Sequence, residues 1–333
     1  MKKPSIYLLL LFLILFIFEL LNGFWFKSQL DKILLNLNIY YDIDIQIDAN
    51  DYYPINHNIS YSRNRYGLRT NCQDINTINF VSIGGSTTEQ KYIDFEDTFS
   101  YILQDKLSKN NDGNFCIANA GVDGHNSLAH INSLENWFPL IPSFSPRFYL
   151  LNMGINDASN IRVSSENIRK NDSFFSYIKF QVISNSYLYS FIKKVRNLIG
   201  MSLDLHGATT HQKNILTDFE YSATSNSIEF EDDIIKNAEI FGENLKEIIK
   251  IIKLRSGTPI CITQEALFVR DGRAINRAFP YKNTYLNGFD LELSLDLINN
   301  QIKTICTNER VLLISIDDGY FEESDFYDFV HHN

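Results

Sequence analysis

The stretch FVSIGGSTT, residues 80–88, sets the class of fold for this chain. Its first four residues have the pattern of a buried strand, and Gly84 and Gly85 break that strand before a serine. At the carboxyl end of a parallel strand, Ser86 would lie where backbone N–H groups face a developing anion. Because Gly-Gly-Ser turns also occur in unreactive loops, the stretch alone indicates a strand end and a candidate nucleophile.

Apolar runs and helical patterns alternate from residue 78 onward. The predicted strands are Ile78–Ile83, Phe115–Ala120, Phe148–Met153, Pro259–Thr263 and Arg310–Ile316. The predicted helices are Thr98–Leu107, Ser127–Trp137, Asp232–Leu254 and Leu291–Thr307. Strands that alternate with helices form βαβ units, so we predict an α/β fold with a flavodoxin-like, doubly wound parallel sheet of about five strands.

Composition excludes some classes of function. The chain has 333 residues, 44 % of them hydrophobic, and a formal net charge of −10. That charge argues against a nucleic-acid partner, which would require a basic surface. The four cysteines lack CxxC or zinc-ligand spacing, so we expect no metal and no cofactor; they are Cys72, Cys116, Cys261 and Cys306. Cys116 and Cys261 lie in strand-like runs, which favours buried thiols, with disulfide pairing left open.

The amino terminus has the pattern of a membrane anchor. Two lysines precede an apolar stretch from Ile6 to Phe26 that would rise about 31 Å as a helix, enough to cross the hydrocarbon core. No small-residue cleavage site follows it, which favours an uncleaved transmembrane helix. The leading lysines favour a cytoplasmic amino terminus, so the remaining chain would lie outside the cytoplasm, in a bacterial envelope.

These patterns divide the chain into three parts. We predict a membrane anchor at residues 1–27, a stalk and edge extension at 28–77, and the main domain at 78–333. The main domain carries an insertion at 158–230 that is longer than an ordinary connection and is expected to be a lid or cap. Within it, the basic stretch Tyr187–Ile199 is favoured as a helix packed on the domain over a membrane-surface helix.

Four segments carry polar groups that could form a site. Three of them follow predicted strands, and the fourth follows the acidic loop after the last predicted strand. They are GGSTT at 84–88, NAGVDGHN at 119–126, GIND at 154–157 and DFVH at 328–331. Ligands of doubly wound sheets bind beyond the carboxyl ends of the strands, so these segments are expected to converge. They supply a hydroxyl, a glycine amide, an amide side chain and an acid–imidazole pair, which are the groups required for serine acyl transfer.

The four blocks, in this order, resemble those of the SGNH (GDSL-like) hydrolase family over about residues 78–331, and NRYGLR at 64–69 resembles a lead-in of some bacterial members. The resemblance implies a catalytic set of Ser86 as nucleophile, His331 as general base and Asp328 as its orienting partner. It also implies an oxyanion hole formed by the N–H of Ser86, the N–H of Gly124 and the amide of Asn156.

The chain departs from the family pattern in two places. Gly85 stands where the family commonly has Asp, a position with no catalytic role. The family also continues past its histidine into a helix, whereas this sequence stops at Asn333. We therefore expect either an incomplete chain or a weakly held His331.

Several nearby residues have structural interpretations. Asp157 is expected to make a local turn hydrogen bond, and Asn119 and Gly121 to shape the second-block turn. His125 could contact substrate or lie in solvent. His332 is an alternative base and Asp325 an alternative orienting acid. The remaining histidines are expected at the surface: His57, His130, His206 and His211.

The resemblance implies a serine esterase or acyltransferase with an acyl-Ser86 intermediate and a carbohydrate O-acetyl group as substrate. A lipid ester is the alternative substrate. An alternative from another class is a non-catalytic carbohydrate-binding or assembly factor of the cell envelope.

Overall fold

The computed structural model describes residues 3–22, 27–49, 58–110, 115–161, 186, 221–222, 230–270, 272–275, 279–281, 284–317, 321–326 and 328–332. The predicted helix Tyr187–Ile199 and most of the insertion at 158–230 lie outside these residues. The chain divides into two compact units, of which the larger begins at Leu37 and contains every strand found among the described residues.

The strands and helices follow in chain order. The strands are β1 Ile43–Asp48, β2 Asn58–Arg63, β3 Phe80–Gly84, β4 Ile117–Asn119, β5 Phe148–Asn152, β6 Tyr221–Ser222, β7 Thr258–Ile262, β8 Val269–Arg270, β9 Arg273–Ile275, β10 Phe279–Tyr281, β11 Thr284–Leu286 and β12 Leu312–Ile314. The helices are α1 Lys3–Asn22, α2 Gln29–Asn36, α3 Ser86–Glu89, α4 Phe99–Asn110, α5 Ser127–Asn132, α6 Ile155–Ser159, α7 Glu231–Leu254 and α8 Gly288–Asn308. A π-helix, Ser133–Trp137, continues α5.

A sheet of five parallel strands forms the centre of the larger unit. Its order is β12-β7-β5-β3-β4, so the second strand along the chain lies outside the first and the later strands follow on the other side. This is the predicted flavodoxin-like winding, and all five predicted strands are confirmed. The order reverses between β3 and β5, where ligands of such sheets bind.

Apolar side chains cover the sheet on both faces. All five residues of β3 are buried, which requires packing above and below the strand. On one face, Phe80, Ile117 and Leu150 form a cluster that α4 covers with Phe99 and Leu103. Burying one such side chain contributes about 1.5–3 kcal/mol. This packing therefore holds β3 in a fixed position in the sheet.

The predicted helices are also confirmed. The longest, α7, buries an apolar stripe that contacts α8, and both helices contact β7. An Asn287 capping box begins α8: the Asn287 side chain accepts the N–H groups of Phe289 and Asp290, and Asp290 accepts the Asn287 N–H. The side chain of an asparagine replaces the backbone acceptors that the first turn of a helix lacks.

Two disulfides correct the expectation of buried thiols. Cys72 is bonded to Cys116, and Cys261 to Cys306. Each bond closes a loop, of 44 and 45 residues respectively. Sequence spacing could not pair these cysteines, because the partners come together only when β4 and β7 take their places in the sheet.

The segment before the main domain forms a separate two-stranded antiparallel sheet of β1 and β2. The residues of β2 alternate between exposed and buried, and Ile59, Tyr61 and Arg63 face inward. Further small sheets pair β6, β8 and β9, and β10 with β11. The predicted transmembrane helix is not confirmed, since no helix within the described residues meets the combined length and hydropathy of a membrane span.

Candidate active site

A continuous line of hydrogen bonds joins the first and last blocks of the sequence. Ser86 is the first residue of α3, directly beyond β3, and its Oγ lies 2.7 Å from Nε2 of His331. The other ring nitrogen of His331, Nδ1, lies 2.7 Å from Oδ2 of Asp328. A hydroxyl, an imidazole and a carboxylate in this order can deprotonate the hydroxyl as it attacks an electrophile.

His331 is firmly held. A weakly held His331, one of the two alternatives expected from the sequence, is therefore not observed. Asp328 Oδ1 accepts the backbone N–H groups of Val330 at 2.8 Å and of His331 at 2.7 Å, which closes a tight turn around the carboxylate. The carbonyl of Phe329 accepts the N–H of Leu267 at 2.7 Å. The turn is therefore tied both to its own acid and to the segment that follows β7.

His332 anchors the same turn and does not face Ser86. Its ring lies between those of Phe321 and Phe326, with centroid distances of 4.3 Å and 4.2 Å, and it pairs with Phe326 in a β-bridge. Burial, followed by the nearby charge of His331, lowers the pKa of His332 to about 4. The ring is therefore neutral at physiological pH. His331, and not His332, occupies the position of a general base.

Asp328 is the acid that contacts the histidine, while Asp325 accepts the N–H of Glu322. Burial alone would raise the pKa of Asp328. The attraction to His331 and the three hydrogen bonds that the carboxylate accepts outweigh burial, so the pKa of Asp328 lies below its ordinary value. A carboxylate that stays ionised can fix the imidazole tautomer and stabilise an imidazolium.

The second block forms a tight turn, the oxyanion loop (residues 121–125), against the end of β3. Val122 donates its N–H to the carbonyl of Gly84 at 3.0 Å, and His125 donates to Val122 at 3.1 Å. Gly124 has a φ of +72°, a conformation that favours glycine, and faces open space. Asn119 shapes the turn, as expected, because its Oδ1 accepts the N–H of Gly121 at 2.8 Å.

Asn156 lies between the first two blocks. Its Nδ2 donates one hydrogen bond, of 2.9 Å, to the carbonyl of His125, and a side-chain amide has a second N–H to offer. The same Nδ2 would lie 2.2 Å from a Cβ at position 85, so Asn156 occupies the space that any residue other than glycine would need there. This proximity accounts for Gly85. Its φ of −85° is accessible to all residues, and only the approach of Asn156 requires glycine.

The structure therefore brings together Ser86, Asp328 and His331. It places Asn156 against Gly85, the residue before Ser86, and bonds Asn156 to His125, the residue after Gly124. The roles assigned to the catalytic set and the oxyanion hole remain predictions. No group of three or more His, Cys, Asp or Glu side chains suited to a metal ion is present in the described part of the chain.

The structure revises the predicted surroundings of three neighbouring residues. The Asp157 carboxylate accepts the N–H and hydroxyl of Ser127, at 2.9 Å and 2.6 Å, and so joins α6 to α5. His125 is buried and not in solvent, and its Nε2 lies 2.8 Å from the carbonyl oxygen of Leu37. His130 is fully buried, not at the surface, and burial lowers its pKa well below the ordinary value.

Gln264 is a supporting residue that the sequence analysis missed. Its Oε1 accepts the N–H of Ile155 at 2.6 Å, and its Nε2 donates to the hydroxyl of Thr87 at 3.0 Å. It thereby joins the third block to the helix of the nucleophile. Its position two residues beyond β7 was the available signal, since three of the four polar segments of the site also follow strands of the sheet.

Comparisons with known proteins find similarity in structure only. No protein-family model matches the chain, and no curated protein matches it in sequence. A lipolytic protein of the G-D-S-L family from Veillonella parvula is 14 % identical with a TM-score of 0.41, over 76 % of this chain and 88 % of that one. A mutant of Axe2, an acetyl-xylooligosaccharide esterase from Geobacillus Stearmophilus, is 12 % identical with a TM-score of 0.39, over 76 % and 86 %. AlinE4, an SGNH-hydrolase family esterase, is 11 % identical with a TM-score of 0.37, over 72 % and 75 %. With similarities this low, the chemistry has to be argued from the side chains of this chain.

Replacing Gly85 with alanine tests the placement of Asn156. The new methyl group would displace the Asn156 amide, and loss of one oxyanion donor typically lowers kcat about 10²- to 10³-fold. We expect Gly85→Ala and Asn156→Ala to lower the kcat for p-nitrophenyl acetate to a similar extent, and the double variant to lose no more than either. Turnover by Gly85→Ala within twofold of the wild type would contradict this placement.

His332 predicts a specific dependence of stability on pH. Unfolded histidine binds a proton below a pH of about 6.5, whereas His332 resists protonation until about pH 4 in the folded chain. Folding stability should therefore fall as the pH drops from about 6.5 towards 4, by up to about 3 kcal/mol. His332→Phe keeps an aromatic ring and removes the titrating group, so the variant should lose less stability.

Urea unfolding in detergent at about pH 7 and about pH 4.5 measures the difference. The other buried histidines, His125 and His130, contribute equally to both proteins and cancel. An equal loss of stability in the wild type and His332→Phe would show that His332 does not resist protonation.

Proposed function

We propose that this protein is a serine ester hydrolase of the SGNH type. The observation that carries the proposal is the line from Ser86 Oγ through His331 to Asp328, with both contacts at 2.7 Å. The position of Asn156 against Gly85, the residue before Ser86, supports it, because a serine without oxyanion donors would be a poor acyl-transfer nucleophile.

Acylation follows from this geometry. Ser86 Oγ attacks the carbonyl carbon of an ester while Nε2 of His331 takes the hydroxyl proton. The carbonyl oxygen becomes an oxyanion and accepts hydrogen bonds from Gly124, Asn156 and the N–H of Ser86. The tetrahedral intermediate then collapses, the C–O bond to the alcohol breaks, and His331 returns its proton to the leaving oxygen. Asp328 stabilises the imidazolium throughout.

Deacylation repeats these steps with water as the nucleophile. His331 takes a proton from water as the oxygen attacks acyl-Ser86, and it returns that proton to Ser86 Oγ when the acid leaves. An acceptor hydroxyl that replaced water in this step would give acyl transfer. The same five groups serve both reactions, and exclusion of water decides between them.

We propose an O-acetylated carbohydrate as the substrate. The family resemblance of the four blocks supports this class, and a lipid ester is the alternative. Release of acetate from acetylated xylan, measured beside hydrolysis of p-nitrophenyl esters of increasing chain length, separates the two. Activity on only the longer esters would overturn the carbohydrate assignment.

We propose, in addition, that the N-terminal helix attaches the protein to a membrane with the main domain outside the cytoplasm. The exposed large hydrophobic side chains of α1, between Tyr7 and Leu21, have relative exposures of 41–79 %. Contact of so much apolar surface with water would be unfavourable. The two disulfides support an oxidising compartment, since cytoplasmic thiols are kept reduced in most organisms.

Covalent labelling tests the nucleophile. A fluorophosphonate probe should label the full-length protein, and Ser86→Ala should abolish both labelling and ester hydrolysis, because it removes the hydroxyl that His331 Nε2 contacts. Ser82→Ala is the matched control: Ser82 lies on β3, the strand that ends just before Ser86, but its hydroxyl faces Ser100 at 3.0 Å, so labelling should persist. An unlabelled wild-type protein would instead favour the non-catalytic binding role.

Fractionation tests the location. The chain should remain in membranes washed with alkaline carbonate, because the exposed apolar side chains of α1 prefer lipid to water. Chain denatured without reductant from that fraction should show no reactive thiol, since all four cysteines are paired. Release by carbonate would contradict the attachment, and about four thiols per chain would contradict an oxidising compartment.

A further inference from the structure

A buried charged cluster lies behind the oxyanion loop. Arg63, on the inward face of β2, and Glu89, the last residue of α3, form an ion pair at 3.2 Å with side chains only 1 % and 3 % exposed. Tyr61 is equally buried and links the two, since its hydroxyl donates to Glu89 Oε1 and accepts from Arg63 Nε at 2.5 Å. We call Tyr61, Arg63 and Glu89 the loop clamp.

Stability alone gives a weak reason for such a cluster. Removing two charges from water costs several kcal/mol per ion, and apolar side chains of similar volume often stabilise a core as well or better. The charge of Arg63 nevertheless persists: burial acts to lower the pKa of Arg63, but Glu89 and Tyr61 outweigh it and the net shift is upward. The other contacts of the loop clamp indicate what it holds.

The remaining hydrogen bonds of the loop clamp go to backbone atoms. Arg63 Nη1 donates to the carbonyl of Gly67 at 2.7 Å, Arg63 Nη2 donates to the carbonyl of Gly121, and Glu89 Oε2 accepts the N–H of Asp123 at 2.8 Å. The bonds to Gly121 and Asp123 fix the peptide groups on either side of Val122. The backbone of the loop also lies against α3, because a Cβ at Gly121 would come within 2.3 Å of the Glu89 nitrogen.

These contacts hold the backbone that leads to the Gly124 amide. Gly124 has no heavy atom within 4 Å of the position of its absent Cβ, so local packing does not hold it. The residue before it is bonded to Glu89, and the residue after it, His125, accepts from Asn156. Glu89 lies three residues after Ser86 on the same short helix, so one carboxylate links the helix of the nucleophile to the loop of the donor.

We propose that Arg63 and Glu89, joined by Tyr61, are positioning residues that hold the Gly124 amide at the distance from Ser86 that the oxyanion requires. This inference rests on the proposed function. The loop clamp does not touch the substrate. It acts through the backbone of the oxyanion loop, so its loss should lower turnover at sites that are otherwise intact.

The test compares turnover per active site in Glu89→Gln and the wild type, both full length. Glutamine keeps the shape of the side chain but removes the charge that binds Arg63 and strengthens the bond from Asp123. Active sites are counted by stoichiometric fluorophosphonate labelling, and p-nitrophenyl acetate hydrolysis gives kcat and KM. We expect kcat per labelled site to fall at least tenfold with KM within threefold. A purely structural role would reduce the number of labelled sites and leave kcat per site unchanged.

Two further variants make the result decisive. Ser82→Ala removes a buried hydrogen bond beside the same strand end but reaches no part of the oxyanion loop, so its kcat per site should match the wild type. Arg63→Lys keeps a positive charge but lacks the forked guanidinium that reaches Glu89, Tyr61 and Gly121 together, and it should reproduce the loss. If Glu89→Gln does not fold, Arg63→Lys tests the positioning role of the loop clamp in its place.

The outcomes distinguish this inference from the proposed function. A wild type that hydrolyses esters beside variants with less than a tenfold fall in kcat per site would overturn the positioning role alone. A wild type that neither labels nor hydrolyses would overturn both. A tenfold or greater fall in Glu89→Gln or Arg63→Lys, with Ser82→Ala unaffected, supports the loop clamp.

Discussion

The hydrogen bond between Ser86 Oγ and His331 Nε2 joins residues 245 positions apart, and the whole arrangement of the site depends on it. Neither end can move far. Ser86 follows β3, whose five residues are buried, and His331 lies in a turn bound to Asp328 and to the chain after β7. The carboxyl ends of parallel strands lie at the same end of a sheet, and Ser86 and His331 meet at that end.

Aromatic packing anchors the histidine turn. His332 lies between two phenylalanine rings, and Phe329 packs near the rings of Phe268 and Phe279, with 5.9 Å between centroids. A neutral imidazole suits this packing because it carries no charge to desolvate. Two adjacent histidines thus have opposite environments, one facing a carboxylate and a hydroxyl and the other enclosed by hydrocarbon.

The oxyanion side of the site is built by close backbone approach and by buried charge. Gly85 leaves room for Asn156, and Gly121 lets the loop lie against α3. Arg63 then binds the carbonyl of Gly121, and Glu89 binds the N–H of Asp123 in the same loop. The family-like lead-in at residues 64–69 also has a structural role, since Arg69 donates to the carbonyls of Glu89, Gln90 and Ile93 at the end of α3.

The sequence by itself determined the strands, their parallel winding and the segments that lie at the sheet edge, because hydrophobic periodicity and glycine breaks are local properties of the chain. It also distinguished Asp328 from Asp325 by the spacing that the resemblance implies. Only the tertiary structure decided the disulfide partners, the burial of His130, the bond from Asp157 to Ser127 and the contacts of Glu89. Each of these features depends on which distant residue lies next to the group in question. Packing between helices and strands determines that neighbour, and the distance between two residues along the chain does not predict it.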